Sequence, residues 1–236
     1  MEGDNPMLQR SNSSIEVEKL QEILVSLGYK LKIDGDFGLL TEIVVKDFQR
    51  HAGLVIDGIV GPKTKAVLAS YDARTFCPEV FEEVLGIENN TDQQIEKAMR
   101  YGFVGLGSIF NQVCRKYSYR WSHAVARGAL ESAWHTSKIS VSKNNIFGFM
   151  AYDSSPFASA KRFKSPQASI EFWIPWMIKN YLSKTGKYYN GNSEYGINQK
   201  YSTSPIAGIS VGFLIRSIRE SLLVRDLRQK AKIKNE

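Results

Sequence analysis

The twelve residues ARGALESAWHTS, Ala126 to Ser137, read as an amphipathic helix with a carboxyl group in an unusual place. Val125, Ala126, Ala129, Leu130, Ala133 and Trp134 fall on one helical face, and Glu131 stands beside that stripe, four residues after Arg127. By helix geometry alone the two make a partly solvated ion pair in its less favourable order, worth roughly a few tenths of a kcal/mol. A carboxyl group that faces an apolar cleft has a second use. Withdrawal from water disfavours its anion, so it keeps a proton to deliver.

Outward from this helix, the segment SVSKNNIFGFMAYDSSPFASAKRF, Ser140 to Phe163, has little helical periodicity and is rich in Asn, Gly, Ser and aromatic residues. That pattern predicts a loop and a short hairpin lining a polar cleft. On the other side, GLGSIFNQVCRKYS predicts a helix with Ile109, Phe110, Val113, Cys114 and Tyr117 on one face. Cys114 then belongs to the core, which argues against a cysteine nucleophile. Residues 71–94, with a proline, two asparagines and an acidic run, read as a linker holding a helical turn. Cys77 sits within it without a basic or histidine neighbour in sequence.

The front of the chain carries an internal repeat. IDGDFGLLTEIVV from Ile33 and IDGIVGPKTKAVL from Ile56 match almost position by position at an offset of 23 residues. In each, Asp-Gly makes a tight turn and a second glycine, Gly38 or Gly61, precedes a helix; Pro62 suits a first helical turn. Upstream, VEKLQEILVSLG points Val17, Leu20, Ile23, Leu24 and Leu27 inward and stops at Gly28. The unit is a small three-helix bundle. Taken as a calcium loop from Asp34, it has Leu39 where glycine is required and Val45 where glutamate is required, so an EF-hand is excluded.

The chain has 236 residues, of which 43% are hydrophobic, enough for two cored domains. It contains neither a run of eighteen apolar residues nor an N-terminal export signal, so a soluble protein without a membrane segment is expected. The net charge of +7 is uneven. Residues 1–72 carry 8 Lys and Arg against 11 Asp and Glu, and the remainder 23 against 13. Without a nucleic-acid motif, the basic back half suits an anionic polymer such as a bacterial wall, and a nucleic-acid partner is not expected. The three histidines and two cysteines lack metal-ligand spacing, so no metal is expected.

Two resemblances follow from these motifs. LQEILVSLGY, DGDFGLLTEIVVKDFQ and GLVIDGIVGPKT resemble the peptidoglycan-binding domain of many wall hydrolases over residues 15–70. This implies a wall-contacting groove near Asp34, Phe37 and Asp57, although the turn-forming residues themselves serve first as turns and caps. ALESAW, NNIFGF, AYDSSPFASAKRF and INQKYSTSP resemble the glucosaminidase domain of glycoside hydrolase family 73 over residues 95–222. The family implies a lysozyme-like α+β fold with a short β-hairpin, so the whole chain is expected to be mainly α. By that resemblance Glu131 is the catalytic acid, Tyr201 lies near the scissile bond, and Asn144 to Phe149 form part of the cleft.

Asn144, Asn145, Phe147, Phe149, Tyr152 and His135 are the expected substrate contacts. The family usually reads ESGWG, whereas this chain has Ala133 and His135 at the glycine positions, which brings the His135 imidazole near the acid. Asp153, in the AYDSS turn, is the candidate second carboxylate. Glu171 among apolar residues reads as structural, and Glu194 as exposed in a loop. Residues 1–14 are expected to be a flexible N-terminus and 223–236 a basic tail.

A wall-binding module joined to a glycan-cleaving domain resembles a modular phage endolysin. It would be held in the host cytoplasm until a holin opens the membrane, would act on peptidoglycan and would need no cofactor. A muramidase or a lytic transglycosylase would use the same glutamate, and a non-catalytic wall-binding or tail protein would use none.

Overall fold

The computed structural model describes residues 7–72, 75–151 and 154–233, with side chains described as far as Val224. Among them the helices are, in order, α1 (Ile15–Ser26), α2 (Leu39–His51), α3 (Pro62–Ser70), α4 (Asp92–Ala98), α5 (Gly107–Lys116), α6 (Trp121–Ser132), α7 (Lys138–Lys143), α8 (Pro156–Ser159), α9 (Pro166–Met177), α10 (Glu194–Tyr201) and α11 (Ala207–Ile233). Among the described residues, pairing between extended segments is limited to isolated bridges, Leu8 with Val60, Ser13 with Asp36 and Leu85 with Tyr119. The mainly α expectation holds. None of the described helices is long and apolar enough to cross a membrane.

The chain divides into two compact units, Met1–Glu82 with Ser193–Ser210, and Glu83–Asn192 with Val211–Glu236. In the first, Ser14 caps α1 by accepting from the Val17 N–H at 3.4 Å, and Val17, Leu20, Leu24 and Leu27 are buried. Ile23, expected inside, is exposed, because the buried stripe is narrower than its apolar spacing suggests. Gly28 ends the helix at φ +108°, where an added Cβ would stand 2.7 Å from Val80 Cγ1.

The repeat is held by two equivalent glutamine hubs. Gln21 donates to Asp34 Oδ1 and the Asp36 carbonyl, both at 3.0 Å, and to Thr41 Oγ1 at 3.2 Å; it accepts from the Asp34 and Gly35 N–H groups at 2.9 Å. Gln49 donates to Asp57 Oδ1 at 2.8 Å, the Ile59 carbonyl at 3.0 Å and Thr64 Oγ1 at 3.4 Å, and accepts from the Gly58 N–H at 2.9 Å. Both amides are buried, so these bonds satisfy groups that would otherwise be costly to desolvate. The segment expected to be a flexible N-terminus is tied to these same turns from Leu8 onward. Leu8 exchanges backbone bonds with Val60 and is buried, and the Phe37 N–H donates to the Asn12 carbonyl at 2.8 Å.

Beyond α3 the expected linker is packed rather than loose. It holds one 3₁₀ turn, Pro78–Phe81, and buries Phe76, Cys77 and Val80 in the first unit, since its apolar residues find partners there. Lys30 reaches residues 193–210 of the same unit: its N–H donates to the Pro205 carbonyl at 3.0 Å, and its Nζ to the carbonyls of Asn198 and Ser202 at 3.3 and 2.6 Å.

In the second unit, Thr91 and Gln94 form a capping box that starts α4. Glu96 then accepts from the N–H groups of Gly105 at 2.6 Å and Gly107 at 2.8 Å, fixing the entry to α5. Glu88 does the same for α6, accepting from the Ser122 N–H at 2.9 Å and hydroxyl at 2.7 Å and from Arg219 at 2.9 Å. α6 runs through the core, with every residue from Trp121 to Ala129 buried. Cys77 and Cys114 form no disulfide and both are buried; burial, with Glu88 nearby, pushes the Cys114 thiol well above its ordinary pKa.

Candidate active site

Where α6 leaves the core, Leu130 and Glu131 emerge. Leu130 was expected to face inward but is exposed, because a helix buried on all sides has no single inner stripe to read. The Glu131 side chain is 27% exposed, and the guanidinium of Arg127, one turn earlier, stands 3.8 Å from its carboxylate. Arg127 is 1% exposed, so the pair is anchored from inside the protein rather than partly solvated at both ends.

Two glycines let the following loop reach this carboxylate. Gly128, on α6, packs so closely that an added Cβ would lie 2.9 Å from Ile146 Cγ2 and 3.2 Å from the Phe147 ring. Gly148, at φ +60°, brings its backbone beside Glu131, with an ideal Cβ 4.0 Å from Oε2. The loop is stiffened from within. Asn145 donates to the carbonyls of Phe149 and Lys161 and accepts from the Phe149 N–H, each at 2.9 Å. Asn144 occupies the left-handed region at φ 52° and donates to the Phe163 carbonyl at 3.2 Å. Phe147 stacks on Trp173 with centroids 3.9 Å apart, and Phe149 meets Phe172 and Trp176 edge-on.

Several expected substrate contacts therefore have framework roles. Asn145 and Phe147 are buried, and the Asn144 amide is spent on the backbone. Polar side chains and rings that shape a tight loop satisfy its backbone and core before anything outside it. The expected hairpin is also replaced. The chain reverses through bonds from the Lys161 N–H to the Phe149 carbonyl and from the Phe163 N–H to the Lys143 carbonyl, but among the described residues it forms α7, turns and α8 rather than a strand ladder. Buried Lys143 holds this return by donating to the carbonyls of Phe157 and Ala160. Tyr152 and Asp153 lie outside the described residues.

The far side of Glu131 is a backbone feature. Ala133, Trp134 and His135 take φ values of 49°, 58° and 59°, three successive residues in the left-handed region. The Trp134 carbonyl accepts from the Gly102 N–H at 3.1 Å, and a Cβ on Gly102 would collide with the His135 carbonyl oxygen at 2.4 Å. The His135 N–H donates to Ser132 Oγ at 2.8 Å, and its Nδ1 meets the buried Ser140 hydroxyl. Burial holds the His135 imidazole below its ordinary pKa.

Tyr201 ends α10 in the first unit, half-buried. Glu194 is fully buried at the start of α10, not exposed in a loop, and Glu171 is exposed and accepts from Gln167, not enclosed by apolar residues. Both reversals come from which helical face meets the core. In the N-terminal bundle, Phe37 is a core residue, too deeply buried to touch a ligand. The Gln21 amide and the Asp36 N–H hold the Asp34 carboxyl below the usual range; the Ile59 N–H and Gln49 do so for Asp57. Gln21, Gln49, Gly128 and Gly148 carry this architecture. Of these, sequence signals existed for the glutamines, which recur 28 residues apart ahead of the two repeat turns.

Comparison with known proteins identifies both parts. Residues 13–68 match the family described as "Putative peptidoglycan binding domain", and residues 107–209 that described as "Mannosyl-glycoprotein endo-beta-N-acetylglucosaminidase". The front of the chain thus matches a peptidoglycan-binding domain and the back a glucosaminidase domain. Its relatives include a "Putative endo-beta-N-acetylglucosaminidase" of Streptococcus pneumoniae serotype 4, 30% identical over 183 residues, 78% of this chain and 26% of that protein. A "Spore cortex-lytic enzyme" of Bacillus cereus is 40% identical over 75 residues, covering 30% of this chain and 29% of that protein.

The chain thus spans about a quarter of the length of the curated relatives with the longest match. Among solved structures, a catalytic mutant of S. aureus Autolysin E in complex with the disaccharide NAG-NAM is similar in fold. Its TM-score is 0.51 at 13% identity, over 76% of this chain and 90% of that one. The likeness places the glucosaminidase domain in the lysozyme-like fold expected from its motifs.

Proposed function

We propose that the protein is a peptidoglycan hydrolase that cuts the β-1,4 bond after N-acetylglucosamine, with Glu131 as the general acid. Glu131 gives its proton to the leaving oxygen as the C1–O bond breaks, and a water oxygen bonds to C1. The water's proton passes to Asp153; in the alternative route the substrate's own N-acetyl oxygen first bonds to C1 as the leaving oxygen departs, and water then replaces it at C1 while giving its proton to the Glu131 carboxylate. No cofactor takes part. The observation that carries the reading is the position of Glu131: a partly exposed carboxylate at the end of a buried helix, braced by Arg127 and faced by the Gly148 loop.

Glu131→Gln tests this assignment. Turnover on purified walls is expected to fall about 10²- to 10⁴-fold while wall binding persists. A variant that clears walls at the normal rate would overturn it. The modular pairing supports use as a phage endolysin released by a holin. Lysis of a bacterial host only when a holin is co-expressed is the expected result, and lysis without one contradicts that role.

A further inference from the structure

The 23-residue repeat builds two equivalent clefts as well as two turns. At eight equivalent positions the linings correspond, and four of them carry the same Leu, Asp, Gly and Thr in both copies. The other four differ: Lys32, Asp36, Leu39 and Leu40 in the first copy become Val55, Ile59, Pro62 and Lys63 in the second. The first cleft encloses about 190 Å³ and the second, with Met7 added to its wall, about 480 Å³.

We propose that the second cleft is a site for the peptide stem of peptidoglycan, and that the first is its diverged copy and does not take the stem. This deepens the wall-binding reading and rests on it. Among the described residues the lining of the second cleft is mainly aliphatic, with Asp57, Lys63 and Thr64 as its polar side chains, and holds no aromatic ring, so it lacks the flat face on which a sugar would stack, but it suits the methyl groups of a short alanine-containing peptide. Val55 and Met7 are 78% and 63% exposed, apolar surface that gains by being covered. Met7 is held over the cleft by the Leu8–Val60 backbone pair, and its flexible thioether can follow a small ligand.

Charge supplies the polarity. Exposed Lys63, at the start of α3, offers a cation to a stem carboxylate. In the first copy, the position of Val55 is occupied by Lys32, whose ammonium lies 3.5 Å from Asp34, and that of Ile59 by Asp36. An ion pair and an added carboxylate there oppose both the methyls and the terminal charge of a stem peptide.

The test uses the full chain carrying Glu131→Gln, so that the wall is not digested during binding. Three probes are compared: intact sacculi, glycan strands stripped of peptides by an amidase, and a soluble stem peptide with a free terminal carboxylate. The expected result is 1:1 binding of the soluble peptide and at least about tenfold weaker binding to stripped glycan than to sacculi. Val55→Lys, at a highly exposed position, should weaken binding to sacculi and peptide by at least about tenfold, Ile59→Asp should act in the same direction, and Lys32→Val should leave both unchanged. Equal binding to stripped and intact walls, two peptides bound per chain, or full binding by folded Val55→Lys overturns the inference while leaving the wall-binding reading in place. No binding to intact sacculi overturns that reading and the inference together.

Discussion

Gly148 stands against Glu131: an ideal Cβ at position 148 would lie 4.0 Å from the carboxylate oxygen, on a backbone whose φ of +60° disfavours any side chain. The loop's glycine and the helix's glutamate thus form one surface. Gly148→Ala should cost roughly 1–2 kcal/mol of stability from the left-handed backbone, and the loop shift that relieves this strain should lower kcat/KM by moving the loop relative to the carboxylate. Thermal unfolding and wall-digestion rates measure the two effects separately. Unchanged values in both would mean that the loop does not border the reacting group.

Ala133→Gly should act in the opposite sense. Ala133 is exposed and strained at φ 49°, so removing its Cβ should raise stability by about 0.5–1 kcal/mol after the greater freedom of glycine in the unfolded chain is deducted. Equilibrium denaturation measures this, and a loss of stability would contradict the left-handed turn after Glu131.

His135 makes stability depend on pH. Burial lowers its pKa from 6.5, so as pH falls through 6.5 the unfolded chain takes up a proton before the folded protein does. The stability present above 6.5 is therefore lost as the pH drops from there toward the lowered folded value. Melting curves between pH 7.5 and 5 should show a decline that is shallower in His135→Asn. Parallel declines in the two proteins would place the imidazole in solvent.

Removing a glutamine hub should unfold the wall-binding bundle's turns. Gln21→Ala deprives the Asp34 and Gly35 N–H groups and Thr41 of a buried partner and should cost at least about 2 kcal/mol. Chemical denaturation of the variant measures it; a change within about 0.5 kcal/mol would assign those bonds to solvent.

The elements legible in the sequence were those with local causes. The Asp-Gly turns and the helices after Gly38 and Gly61 follow from turn chemistry and periodicity within a few residues, and so does the existence of α6, though not its inner face or its end, which comes at Ser132 rather than beyond Trp134. The misread features depend on tertiary contact. The burial of Glu194 and the exposure of Glu171 are set by what packs against each helix, and no local pattern distinguishes them. Gly128 carries no local signal of its role, which comes from Ile146 packed against it. The left-handed run at Ala133, Trp134 and His135 carries no glycine, so its conformation was invisible from residue type. Asn145 and Phe147 stood in the expected motif, but as the frame of the loop beside Glu131 rather than its exposed surface.

The most direct measurement is the chemistry of the cut. Purified peptidoglycan is digested with the protein, the fragments are reduced with borohydride, and the terminal sugar is identified by mass spectrometry. Reduced glucosamine ends that disappear with Glu131→Gln are the predicted result. Reduced muramic acid ends, anhydro ends, or no new ends would contradict a glucosaminidase acting through Glu131.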